Sequence, residues 1–422
     1  MTARRQLLYM LGQFGVMLLT RYLYQWVLKF VDSPAGDATL LAAASVGTVF
    51  LGFRIFDGIT DPMAGGLSDW WVSRGRKRQA LIGATAFLAP VGLALTFCPA
   101  ESMSLTVRWV LLVSGLFVFF VGYTVYAIPY WTLVEDFGQT EEGRRSLSNM
   151  LGLGLILATI TGFVVTPLVI EALGYRDAAV VIGLVSFACM LAPLYAAPKD
   201  EAVRPVTHST PTLGELLRTF AGSFRNRRFV ALLVLLVGSQ MSFTVLTAAA
   251  PFVARDLLGG TDADVALMLG PLLLTSVPMF YFSPKLSAKL GWWKALLLAS
   301  LVLGGVYVLC SLVVGTAVVH TPFLTASLLF AACGPMIAVL LALEAEAITA
   351  CVGPDEKGAV SMYFGVYNFV IKCFNGVAML LTAVLIDLAK GPWGTGATRF
   401  MLTAAALLLF SGVGLSVVLR RR

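Results

Sequence analysis

Residues 53–62 read FRIFDGITDP, and Arg54, Asp57 and Asp61 are ionisable groups inside an otherwise apolar run. As a helix, this spacing sets the two carboxylates at i and i+4 on one face, with Arg54 one turn before Asp57. A carboxylate at mid-bilayer costs about 2.5–3.5 kcal/mol on insertion scales, so such groups line wet seams and are functional by default. One guanidinium does not neutralise two carboxylates, which makes the pair suited to a cation. Asp57 and Asp61 offer their carboxylate oxygens to something cationic in a water-filled cavity between helices. The competing interpretation is a clamp in which Arg54 and a carboxylate only staple helices together.

A second set of residues could hold a solute. Arg21, Tyr24 and Gln25 are too polar for a lipid-facing helix, and Arg21 suits an anionic group such as a uronate or a phosphate. Alternatively Arg21 reaches the outer interface and the aromatics around it form a belt. Tyr130 and Trp131, beside Pro129, offer rings that can stack on a sugar face. Gln240 lies on a polar stripe with Ser239, Ser242, Thr244 and Thr247. Lys372 shares a helix face with Asn368 and Asn375, and a lysine at that depth calls for a carboxylate such as Asp57 or Asp61.

These residues must be carried by membrane helices. The chain has 422 residues, 58% hydrophobic and 13% charged, with a mean hydropathy of +0.86. A soluble domain carries about 25% charge, so this is an all-α integral membrane protein. Apolar spans fall near 7–30, 40–69, 79–98, 107–134, 146–171, 178–197, 229–254, 264–284, 293–315, 321–350, 359–387 and 396–418, twelve in all. The polar stretch 198–228 divides them into six and six, giving bundles over 1–197 and 229–422. Within the linker, PTLGELLRTFAGSF has the period of an amphipathic helix lying at the membrane surface.

Basic residues mark one side of the membrane. Arg4 and Arg5, RGRKR at 74–78, Arg144 and Arg145, RNRR at 225–228 and the final RRR alternate with loops poor in Lys and Arg. That side is cytoplasmic, with both termini inside, as in a bacterial inner membrane protein. The net charge of +7 belongs to these short loops and does not indicate a nucleic-acid partner. The six cysteines have no paired spacing, and no HExxH, GxSxG or intramembrane His pair suggests an enzyme. The linker is too short for the soluble signalling domain of a receptor. No cofactor is expected beyond a coupling ion, and the chain is expected to act as a monomer.

The loop GGLSDWWVSRGRKR after the second span resembles the signature of the major facilitator superfamily. That resemblance implies a twelve-helix fold of two six-helix bundles, with Asp69, Arg74 and Arg76 as gate elements. Within the superfamily, RIFDGITDP, YTVYAIPYWTLVEDF at 123–137 and EAEAITACVGPDEKGAVSMYFGVYNFVIK at 344–372 are similar to the glycoside–pentoside–hexuronide:cation symporters. The resemblance implies alternating-access symport of a small solute with H⁺ or Na⁺, the cation at Asp57 and Asp61 with Thr60 and Thr124 as neutral oxygens. It also implies that Glu346 belongs to a closing gate. Two family carboxylates are replaced here, by Ala127 on the fourth helix and near Val16 or Met17 on the first. Those departures favour H⁺ over Na⁺. They also admit lipid or lysolipid transport, which a vertebrate branch of the family performs.

Overall fold

The computed structural model describes residues 2–32, 39–138, 140–196, 221–316, 320–352 and 360–421. Most of the polar linker, including His208 and the first ten residues of PTLGELLRTFAGSF, lies outside the described residues, as does 353–359. The described chain is helical throughout, with no strand among the described residues.

Six helices precede the linker. They are α1 (Ala3–Asp32), α2 (Ala43–Ser73), α3 (Arg78–Thr96), α4 (Leu105–Phe137), and α5 and α6, the two arms of the run Glu141–Tyr195. That run reverses at Gly174, whose φ of +78° lies in the left-handed region open to glycine. Six more follow: α7 (Arg227–Phe252), α8 (Val265–Leu290), α9 (Trp292–Val313), α10 (Pro322–Cys351), α11 (Val360–Ala389) and α12 (Thr395–Arg421). The twelve expected spans are these twelve helices. Pro62 does not end α2, which runs 31 residues to Ser73. A π turn at Thr161–Val165 interrupts α5, and another at Val253–Leu257 follows α7.

The helices cluster into two units. The first comprises Met1–Ala42 and Ile59–Thr210, the second Ala43–Gly58 and Pro211–Arg422. The division therefore falls inside α2, between Asp57 and Asp61.

In the first unit α1 packs on α5 and α6, and α3 on α4. The α3–α4 contact is backbone to backbone: Gly92, Gly115 and Gly122 have no room for a Cβ against the facing chain. In the second unit α7 packs on α12, α8 on α10, and α9 on α10 and α12. Gly238 of α7 faces Gly412 of α12 in the same manner. Lipid supplies no hydrophobic drive for helix association, so close approach through small residues carries the packing.

Candidate functional site

The first half of α2 belongs to the second unit because it lies antiparallel along α11. At its start the backbone N–H groups of Ala43 and Ala44 donate to the two carboxylate oxygens of Asp387, at 3.1 and 2.8 Å. This carboxylate caps α2 from another helix, where Ala42 offers no side-chain cap. Further along, Gly47 meets Leu380 and Ala383, Gly376 meets Leu51 and Arg54, and Gly58 meets Phe369. Those glycines bring the two backbones close enough for short polar side chains to meet.

Asp57 stands at the centre of this seam and is fully buried. Its Oδ2 accepts from Arg54 Nη1 at 2.7 Å and lies 3.0 Å from Lys372 Nζ. The side chains of Arg54 and Lys372 are 7% and 14% exposed, so all three charges are withdrawn from bulk water. Both partners present N–H groups to the one carboxylate oxygen. The sequence pointed to Asp57 or Asp61 as counter-charge for Lys372, and the structure brings Lys372 to Asp57. Arg54 and Lys372 share this one carboxylate, so Arg54 stays bonded to Asp57 without Lys372.

Asp61 and Thr60 lie in the first unit, half-buried on the second half of α2. The Cβ position of Gly65 is 3.9 Å from Ile128 of α4. Helices α2 and α4 run in the same direction, so one turn back along each stand Asp61 and the buried Thr124 at matching depth.

Among the solute candidates of the first unit, Arg21 Nε donates to Thr159 Oγ1 of α5 at 3.2 Å, and its guanidinium lies 5.8 Å from the Phe163 ring centroid. Gly162, in the π turn, leaves space for the Arg21 stem. Among the described residues no carboxylate pairs with Arg21. Its electrostatic neighbours are Tyr24 and Tyr123. The nearer end of α1 is about 16 Å away along the axis. One turn on, Gln25 is buried, and neither atom of its amide has a hydrogen-bond partner among the described residues.

Tyr130 is corrected from solute contact to packing. It is fully buried, stacks on Tyr9 and Tyr126 at centroid distances of 5.0 and 5.6 Å, and donates to the Tyr9 carbonyl at 2.5 Å. No face of its ring remains for a ligand. Trp131 keeps a half-exposed ring, oriented by a 2.8 Å hydrogen bond from its indole N–H to Gln13.

Asp69 binds a basic partner that the motif did not single out. Arg78, the last residue of RGRKR, donates to Asp69 at 2.7 Å, to both oxygens of Asp136 at 2.9 Å and to Ser68 at 3.0 Å. Arg74 and Arg76 instead lie over Trp70 and Trp71, at 4.7 and 4.6 Å from the ring centroids. The sequence signal for Arg78 was its place at the start of α3, where it can reach back to α2 and across to α4.

In the second unit Gln240 of α7 donates to Glu344 of α10 at 3.2 Å, and Tyr367 of α11 is an electrostatic neighbour of Glu344. Glu344 carried no weight in the sequence reading, which chose Glu346. Glu346 is exposed and accepts from Ser287 at 2.6 Å. Asn368 is exposed on α11, while Asn375 accepts from Thr244 of α7 at 3.1 Å.

Among the described residues, twelve apolar helices hold charged and polar groups inside the spans. The model of the MFS/sugar transport protein family matches residues 8–415, and the chain belongs to that family. Uncharacterized symporter YjmB of Bacillus subtilis is 25% identical over 304 residues, a match spanning 69% of this chain and 63% of that protein. An uncharacterized symporter of Synechocystis sp. is 31% identical over 154 residues, 34% of this chain and 27% of the relative. The chain thus matches less than two thirds of the length of either. Among solved structures, the nucleoside transporter NupG superposes with a TM-score of 0.72 at 12% identity, covering 100% of each chain. A D-xylose-proton symporter gives 0.68 at 13% identity, covering 96% of this chain and 97% of the other. At such identities the likeness concerns the fold.

Proposed function

We propose that the chain is a cation-coupled symporter of a small anionic solute of the uronate type, working by alternating access in a bacterial inner membrane with both termini cytoplasmic. The observation that carries the reading is Arg21, a guanidinium inside the membrane with no carboxylate among the described residues, one turn from the buried amide of Gln25. A cation held without a carboxylate in an apolar surround favours a ligand that brings its own negative charge. The amide of Gln25 can donate to one hydroxyl and accept from another. Tyr24 adds a ring beside Arg21.

The coupling cation belongs at Asp57 and Asp61. An H⁺ or Na⁺ arriving at Asp57 exchanges with the ammonium of Lys372, which links cation entry to release of α11 from α2. H⁺ is preferred, because a hard-cation site favours more carboxylate oxygen than remains once Ala127 replaces the fourth-helix acid. Relatives described as symporters support coupling, and the sugar-transport family supports the solute class.

Counterflow in proteoliposomes tests the reading. D-galacturonate and D-glucuronate should exchange, and Arg21→Gln should abolish exchange while Arg21→Lys retains part of it. Exchange of D-galactose with no uronate exchange would overturn the anionic assignment. Exchange of lysophosphatidylcholine alone would replace it with lipid transport.

A further inference from the structure

The carboxylates Asp57 and Glu344 have partners of opposite character. Asp57 is held by an arginine and a lysine, which donate and never accept. Glu344 is held by an amide, with the phenol of Tyr367 beside it, and each of these can donate or accept. Gln240 offers Nε2–H to an ionised Glu344 and, turned about its last torsion, offers Oε1 to a protonated one. Tyr367 can donate its O–H to the carboxylate and can accept through its oxygen from a carboxyl O–H. The set thus satisfies both protonation states without leaving a polar group stranded, as a carboxyl that gains and loses a proton inside a membrane requires.

Its surroundings fit that role. Helix α10 packs against α7, α8, α9 and α11. From α11 the titratable group facing Glu344 is Tyr367, with Lys372 five residues further along. From α7 the facing group is the neutral Gln240. The charged groups of α8 and α9, namely Lys285, Lys289 and Lys294, stand at the helix ends, and none bonds to Glu344 among the described residues. Glu344 lies about 10 Å from the end of α10, and Tyr367 about 10 Å from the start of α11. Both ends are on the side of the basic loops. Lys372 lies about 7 Å deeper along α11, so Glu344 stands between the Asp57–Lys372 pair and that side.

We propose that Glu344, with Gln240 and Tyr367, forms a second protonation site of the transporter, exchanging protons on the basic-loop side of the Asp57–Lys372 pair. On uptake, one carboxylate oxygen gains the proton, its new O–H donates to Gln240 Oε1 or Tyr367 Oη, and the displaced donor turns away. On release the proton returns to water and both partners donate again. This site does not depend on Asp57 being the coupling carboxylate.

Infrared difference spectroscopy of the full chain in proteoliposomes, stepped between acidic and alkaline pH without any solute, reads protonated carboxyl groups directly. Wild type should show a C=O band that titrates, absent in Glu344→Gln and retained in Asp57→Asn. A second variant covers failure of the first to fold. Gln240→Leu removes one adaptable partner and should move the band's midpoint by about one pH unit, the scale of one hydrogen bond lost to one of two protonation states. A wild-type spectrum in Glu344→Gln, or an unmoved midpoint in Gln240→Leu, would overturn the proposal. Failure of the uronate reading would appear separately, in counterflow.

Discussion

The Asp57 and Arg78 clusters have opposite charge arrangements. At Asp57 one carboxylate accepts from two cations, Arg54 and Lys372, and all three side chains are withdrawn from water. At Arg78 one guanidinium donates to two carboxylates, Asp69 and Asp136, whose side chains are 37% and 20% exposed. Water shares the charge of the second cluster, so losing one partner leaves the others solvated. At Asp57 a lost partner is replaced by little solvent, and the remaining charges bear the desolvation cost. The same ion-pair chemistry therefore makes a loose clamp at a helix end and a discriminating contact inside the membrane.

The largest effect should come from Asp57→Asn, which removes the acceptor shared by two buried cations. Loss of about 3–5 kcal/mol is expected, read as a steep fall in membrane abundance and in the melting temperature of purified protein. Lys372→Met should behave differently, because Arg54 still satisfies Asp57. Near-normal abundance is expected together with loss of concentrative uptake. Equal instability in the two variants would break the contrast and return Lys372 to the part of sole counter-charge.

Arg78→Gln should cost less, about 1–2 kcal/mol, since Asp69 and Asp136 remain partly hydrated. The stability difference between wild type and this variant should shrink as salt is raised, because screening reaches the exposed cluster. A stability loss from Asp57→Asn should hardly change over the same salt range, so equal salt responses would remove the distinction. The smallest effect is expected of Asp387→Ala, about 1 kcal/mol for a lost helix cap. Protection of the Ala43 and Ala44 amides in hydrogen exchange would read it locally, and unchanged protection would mean that the cap does not hold α2 on α11.

Much of this protein was legible without coordinates. Twelve apolar spans, their separation by a polar linker and the positions of Arg54, Asp57, Asp61 and Lys372 follow from composition and spacing, because lipid penalises every charge that lacks a reason to be there. The sequence likewise pointed to a carboxylate for Lys372, since depth along a helix can be counted in residues. What it could not decide is which side chains of like type meet. Arg78, and neither Arg74 nor Arg76, holds Asp69, because only the start of α3 brings a guanidinium back between α2 and α4. Glu344, and not Glu346, takes the amide of Gln240, although only Ala345 separates them, because that two-position step turns the side chain roughly to the opposite face of the helix. Tyr130 sits inside a stack while its neighbour Trp131 keeps a half-exposed ring. Periodicity tells which residues share a face, but only helix packing settles what that face meets.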